Sequence, residues 1–372
     1  MLTRLYVNNF RCLVNFECHF GAKQLLLGPN GVGKTSVFDV LALLRDFSAL
    51  GEPAGGGFVG LNRTRWLDLP TQEVELDVSG NGGVYKFRLQ IDSWGPMSLT
   101  RVRREELDFE GQPIFRFSDG EVHLFNDRHE DKVRYPFDWH RSALATIAER
   151  PDNTKLSWFK KWLGSLLCIS PEPRRMSGVA PREARYPDRY LANFAEWYRH
   201  HRQETGDHAY IADLREVIEG FSEMALVEVG EGNREIRLRM TPNGLGKLSR
   251  GFSLGLRDVS DGQRVLIGLY AILHFAFRGG ATLCIDEPDN FVALREVMPW
   301  LDRVIERVED ETDGAQVLIA SHHPELLDRL AVEDGISLDR PDGLFTRVRR
   351  FSDLSGTGLS PSSLIARGWD RE

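Results

Sequence analysis

The chain runs Gly28-Pro29-Asn30-Gly31-Val32-Gly33-Lys34-Thr35 straight out of a short apolar segment, Lys23–Leu27, and into helical periodicity over residues 36–45. This run fits GxxxxGK[ST] in the setting the pattern demands, a strand before it and a helix after it. Glycines at the bends let backbone N–H groups wrap an anion without Cβ clashes, and the helix start adds the positive end of its dipole. The residue types suit a nucleoside triphosphate. Lys34 would bridge the β- and γ-phosphates, and the Thr35 hydroxyl would ligate Mg²⁺. Asn30, Gly31, Gly33 and Ser36 complete the expected phosphate-binding set, with ATP and Mg²⁺ as the ligands.

Around this loop the pattern changes character twice. Leu2–Asn8 alternates and reads as a strand, with residues 14–20 as its partner. Residues 51–60 form a glycine-rich surface loop, and residues 73 to about 125 read as an antiparallel meander. Its turns fall at Ser79-Gly80-Asn81-Gly82-Gly83, Gly95-Pro96 and Asp119-Gly120. From about 135 to 221 the chain is helix-like, interrupted by Pro151, Pro171, Pro173, Pro181 and Pro187. Fourteen Lys/Arg face seven Asp/Glu between 132 and 202, a local excess of positive charge in a chain of net charge −8. Strand character returns over 225–240. A helix (262–277), a strand (281–285), a helix (294–308) and the strand Gln316–Ala320 follow.

Three later motifs fall in a fixed order. Thr282-Leu283-Cys284-Ile285-Asp286-Glu287-Pro288 is an apolar strand ending in two acids. Asp286 would hold the Mg²⁺ water shell, and Glu287 would orient or deprotonate the attacking water. Upstream, Val259-Ser260-Asp261-Gly262-Gln263-Arg264 opens an apolar-faced helix, and Ser321-His322-His323-Pro324 follows the strand Gln316–Ala320. With Asn9-Phe10-Arg11 ahead of the glycine-rich loop, this order resembles the SMC/RecF/OLD-like branch of the ABC ATPases.

The resemblance implies an α/β fold: an ABC-type P-loop ATPase core with an antiparallel β subdomain and an inserted helical arm. Residues 1–135 and 223–372 would be the two halves of the core, and 136–222 the basic arm. It also implies a homodimer closed head to tail on two ATP. There Ser260, Gly262 and Gln263, the signature loop, would bind the γ-phosphate on the partner's P-loop. His322 would be the switch histidine, with His323 one position away, and Arg11 would touch phosphate or ribose. Some features depart from the family. Val259 stands where Leu is usual, and Asp289-Asn290-Phe291-Val292-Ala293-Leu294 lacks the usual His. Gln72, Gln90 and Gln112 all compete for the Q-loop glutamine. The chain is too short for a long coiled coil, and residues 332–372 show no nuclease-like metal pattern.

The arm interleaves cations such as Lys160, Lys161, Arg174 and Arg175 with Trp158, Phe159, Trp162, Tyr190, Trp197 and Tyr198. Backbone phosphates would meet the cations, while the aromatics would either stack on bases or pack the arm itself. The expected role is a nucleic-acid-linked sensor or regulator in DNA repair or antiviral defence, working with a separate effector such as a nuclease. An ATP-gated protein scaffold is the alternative, and a transporter subunit fits less well. Cys12, Cys18, Cys168 and Cys284 lack CxxC spacing and read as reduced core thiols. With no long apolar run and no signal segment, the expectation is a cytoplasmic protein that does not enter membranes.

Overall fold

The computed structural model describes residues 1–54, 57–58, 62–94, 99–241, 251–310, 314–341, 343–351 and 358–368. The turn at Gly95-Pro96 and part of the 51–60 loop lie outside the described residues. The chain forms two compact units. One comprises Met1–Leu166, Gly280–Thr282 and Pro324–Glu372; the other comprises Leu167–Gly279 and Leu283–His323.

The first unit is built on an eight-stranded antiparallel sheet. Leu2–Asn8, Thr71–Gly80, Gly83–Trp94, Leu99–Phe109, Gln112–Ser118 and Glu121–Phe125 lie side by side in chain order. Phe16–His19 flanks one edge and Asp131–Pro136 the other. The period-two pattern turns Val74, Leu76, Val78, Tyr85, Phe87, Leu89 and Ile91 inward. The helix Thr154–Gly164 covers this face. Tyr85 stacks on Trp158 with ring centroids 4.9 Å apart, and Phe87 meets Phe159 at 5.5 Å. A Cβ on Gly80 would lie 2.3 Å from the Trp158 ring, so the hairpin glycine is what admits the indole. Burying each such ring stabilises the unit by about 1.5–3 kcal/mol.

The same unit carries the P-loop strand Lys23–Leu27. It pairs in parallel with Gly335–Asp339, which pairs antiparallel with Arg347–Arg350. The helix after the loop, Lys34–Leu44, runs on through a π-helical turn, Arg45–Ala49. That turn is held by a buried acid. Glu105 accepts hydrogen bonds from Ser48 Oγ (3.0 Å), Ser142 Oγ (2.6 Å) and the backbone N–H groups of Ala143 (2.9 Å) and Leu144 (3.3 Å). It thereby ties the end of the P-loop helix to the sheet.

In the second unit, Leu167–Ile169 lies parallel to Thr282–Asp286, with Cys168 opposite Cys284. Gln316–Ala320 is the next strand, and all its residues are buried, as expected for a strand covered on both faces. A smaller antiparallel sheet holds Val179–Ala180, Arg234–Met240, Phe221–Glu228 and Phe252–Gly255. The strand character expected at 225–240 belongs to a hairpin that begins at Phe221 and turns where Gly230 and Gly232 take positive φ. Helices Phe194–Thr205 and His208–Val217 pack Trp197, Tyr198 and Tyr210 against Phe275 at centroid distances of 5.0–6.3 Å. The Tyr210 hydroxyl donates to the carbonyl of Ile267 at 2.9 Å.

These contacts decide what much of the basic stretch can do. Phe159, Trp162, Trp197 and Tyr198 are buried core, so they cannot stack on bases. Lys160 is not an outward-facing cation either. Its ammonium donates to the carbonyls of Ala145 and, at 2.9 Å, Ile147, and burial lowers its pKa. Lys161 pairs with Glu149 at 2.8 Å.

Burial pushes the Glu105 carboxyl from its ordinary 4.5 to about 6, against the pull of its four donors. The folded state thus binds this proton more tightly than the unfolded state. The resulting stability is fully present below about pH 4.5 and is lost as pH rises through 6. Wild type should lose about 1–2 kcal/mol relative to Glu105→Gln between pH 4.5 and 7.5. Thermal melts of both proteins across that range would show it, whereas parallel curves would mean that Glu105 does not titrate there.

Candidate functional site

In the first unit the glycine-rich loop is shaped by close approaches that only glycine permits. Gly28, Gly31 and Gly33 have φ of 133°, 79° and 113°. A Cβ on Gly28 would lie 2.2 Å from the Leu338 carbonyl oxygen. One on Gly33 would lie 2.9 Å from both Cys12 Sγ and Thr346 Oγ1. The helix begins at Lys34 with no side-chain cap and no acid in its first turn, so its first N–H groups are turned to whatever anion sits there. Lys34 is buried, its ammonium folded over the loop onto the carbonyls of Gly28 (2.7 Å) and Pro29 (3.3 Å). Asn30, Gly31 and Thr35 are exposed, while Ser36 is buried. The cradle fits a triphosphate.

Two residues that the motif does not announce brace this loop. The Thr346 hydroxyl donates to the Val32 carbonyl at 2.6 Å, and Arg340 donates to the Gly31 carbonyl at 2.9 Å. The loop and Asp339, Arg340 and Pro341 line a cleft of about 550 Å³. Both braces are more than 300 residues away in sequence and carry no local signal. Arg11 takes φ of 51°, pairs with Asp39 of the P-loop helix and donates to Asn62 Oδ1 at 3.2 Å. Asn9 is wholly buried and bonds the backbone of Leu69, Thr71 and Thr64, so it fixes the turn that presents Arg11. Among the glutamines, Gln90 is bonded to Glu73. Gln72 is buried and donates at 3.4 Å to the Asn62 carbonyl, which also accepts the Arg11 N–H.

The second unit holds the acids and the signature loop. Asp286 ends its strand buried. Glu287 sits in the left-handed region at φ 51°, an unfavourable conformation for a residue with a Cβ. Its N–H donates to Ala320 at 2.7 Å, and the Asn290 amide holds its carboxylate. Just beyond the two strand ends, the Ser321 hydroxyl donates to Asp289 Oδ1 at 2.7 Å and accepts the His323 N–H at 2.9 Å. Asp289 and Ser321 thus lock the turn after the acid pair to the turn carrying the two histidines, of which His322 is the more exposed.

Ser260 caps the helix Asp261–Ala271. Its hydroxyl accepts the Gln263 N–H at 3.2 Å, and the Gln263 side chain accepts the Ser260 N–H at 3.1 Å. A Cβ on Gly262 would lie 2.6 Å from the Phe291 carbonyl oxygen. Phe291 itself has φ of 71° and a ring 51% exposed. The structure therefore brings Ser260, Gly262 and the turn following Glu287 together. Arg264 ties the helix start to the preceding loop, donating to the Pro173 carbonyl at 2.9 Å and to Asp261 at 2.6 Å. Thr35 in the first unit carries a hydroxyl oxygen and Asp286 in the second a carboxylate, both of the hard-oxygen type that Mg²⁺ takes. Among the described residues no group of three or more His, Cys, Asp or Glu could hold a metal.

The profile of a family described as "AAA domain, putative AbiEii toxin, Type IV TA system" matches residues 25–328. The chain belongs to that family. The order of its motifs resembles that of the SMC/RecF/OLD-like ATPases. The chain is 23% identical to the OLD nuclease of Thermus scotoductus (strain ATCC 700910 / SA-01) over 377 residues, 95% of this chain and 65% of that protein. Among solved structures it resembles an SMC head bound to the C-winged helix domain of ScpA, with 12% identity, 96% and 99% of the two chains covered, and a TM-score of 0.52. The SMC head domain from Thermotoga maritima matches at 13% identity, with 94% and 99% covered and a TM-score of 0.45. No helix among the described residues is long and apolar enough to cross a membrane.

The contact at Gly262 gives a test of the signature loop. Gly262→Ala should displace the 287–291 turn and lower the stability of the second unit by about 1–3 kcal/mol, the usual cost of overpacking. Urea unfolding followed by tryptophan fluorescence measures it. A wild-type midpoint would show that the two turns are not in contact.

Proposed function

We propose that this protein binds and hydrolyses ATP, closing head to tail as a homodimer around two nucleotides. The preformed cradle of Gly28, Gly31, Gly33 and Lys34 is the observation that carries the reading. Lys34 would exchange the carbonyls of Gly28 and Pro29 for β- and γ-phosphate oxygens, and the uncapped helix start would take the remaining charge. Mg²⁺ held by Thr35 and Asp286 would neutralise charge on the phosphates. Glu287, held by Asn290, would take a proton from the attacking water, and His322 would donate a hydrogen bond to the γ-phosphate. Ser260, Gly262 and Gln263 would act on the partner's nucleotide.

Because the likeness to the OLD nuclease spans 95% of this chain and 65% of that protein, we infer a nucleic-acid-linked role. The chain would be the ATP-driven sensor in DNA repair or antiviral defence, with cleavage supplied by a separate effector. Residues 136–222 would be the element that meets the ligand. If turnover ignores added DNA and RNA but a protein partner copurifies only with ATP present, the protein is instead an ATP-gated scaffold.

Two outcomes test the ATP chemistry. Glu287→Gln should bind ATP as wild type does while turnover falls about 10²–10⁴-fold, the range for a lost general base. Unchanged turnover would remove Glu287 from that role. Lys34→Ala and Ser260→Arg proteins should each be inactive alone. Mixing them should restore activity, because each heterodimer regains one composite site with an intact P-loop and an intact signature. Persistent inactivity, with subunit exchange demonstrated by labelled chains, would count against the head-to-tail dimer.

A further inference from the structure

We propose that the loop from Arg174 to Tyr190 is a docking platform for single-stranded nucleic acid. This rests on the nucleic-acid-linked reading above and names its contact surface. Between 174 and 190 the chain has five arginines and two acids. Both acids are already engaged, and so are two of the arginines, Arg174 at 3.5 Å from Asp261 and Arg182 at 3.3 Å from Glu196. The Asp188 carboxylate accepts the backbone N–H groups of Tyr190 (2.9 Å), Ala192 (2.8 Å) and Asn193 (3.0 Å). Glu183 lies 3.5 Å from Arg199 and 3.7 Å from His200.

The loop's cations and rings are arranged in pairs. The Arg175 guanidinium lies 4.2 Å from the centre of the Tyr190 ring, with Arg189 at 5.7 Å from the same ring. Arg185 lies 5.5 Å from the Tyr186 ring. Tyr186 is 45% exposed and Tyr190 37%, unlike the buried Phe159, Trp162, Trp197 and Tyr198. Among the described residues, neither Arg175 nor Arg185 has a carboxylate partner within 4 Å. Flat guanidinium and phenol faces accept stacked bases, and the same guanidinium forks reach phosphates.

The loop is also fixed in shape before any ligand arrives. Asn193 donates to the Tyr186 carbonyl at 3.0 Å and accepts the Asp188 N–H at 2.9 Å. Its base is anchored on the signature helix by Arg264 at Pro173. Stacking requires bases free of a duplex, and apart from the two-residue strand Val179–Ala180 the segment is irregular, with no helix to enter a major groove. Single strands are therefore the form this surface suits.

Binding of labelled (dT)20 by anisotropy, without ATP, tests the platform apart from the ATPase. The wild-type chain should bind (dT)20 more tightly than a duplex of equal length. The triple variant Arg175→Ala/Arg185→Ala/Tyr186→Ala should bind it about tenfold or more weakly, with a salt slope shallower by about 0.7 for each phosphate no longer neutralised. Its basal ATP turnover and melting temperature should match wild type. A second variant, Arg175→Lys/Arg185→Lys, keeps the charge but not the flat planes; it should retain the salt slope and lose affinity. Wild-type affinity in the triple variant, no binding of (dT)20, or tighter binding of the duplex would each overturn the proposal. Absent basal turnover would instead count against the ATPase reading alone.

Discussion

At Gly28 the backbone of the phosphate loop passes so close to the Leu338 carbonyl that even a methyl group would overlap it at 2.2 Å. The rest of the nucleotide side depends on this approach. Because the loop starts flush against the neighbouring strand, Gly33 can settle between Cys12 and Thr346, and Lys34 can fold back over Gly28. Parallel pairing of Lys23–Leu27 with Gly335–Asp339 sets the approach distance, and the Thr346 and Arg340 hydrogen bonds keep the loop from relaxing away. The cradle is thus held in shape by the fold before any anion arrives, which lowers the ordering cost of binding.

The second unit solves a related problem with strain. Glu287 stands in a left-handed conformation, and so does Phe291 four residues later, each unfavourable by about 1–3 kcal/mol. Both are held by specific contacts: the Glu287 N–H on Ala320, the Asn290 amide on the Glu287 carboxylate, and the Phe291 carbonyl against Gly262. The Ser321 hydroxyl, bonded to Asp289 and to the His323 N–H, joins this turn to the next strand's end. Acid, histidine and signature segments therefore share one rigid framework within the unit.

Cations in the stretch 132–202 divide by the partners they meet, which local sequence does not announce. Lys160 is consumed by backbone carbonyls and Lys161 by Glu149, while Trp197 and Tyr198 pack against Phe275. Arg175 and Arg185 are left at the surface on tyrosine rings. A count of cations could not separate these classes, because a lysine that caps a helix carbonyl looks the same in sequence as one that awaits a phosphate.

The local sequence determined the elements whose physics is local. Alternation set the meander strands, the glycines and Lys34 set the phosphate loop, and Ser260 with Gln263 set a capped helix start. The strands Leu2–Asn8, Lys23–Leu27 and Gln316–Ala320 were legible to the residue, since each is a short apolar or alternating run bounded by turn residues. Only the tertiary structure decided what depends on distant partners. It set the Glu105 node from Ser48 and Ser142, and the bracing of the loop by Thr346 and Arg340. It also set the burial of Asn9 beneath Arg11 and the meeting of Gly262 with Phe291. Those contacts join segments tens to hundreds of residues apart, and their strength comes from exclusion of water and from close packing. Neither exists until the chain has folded.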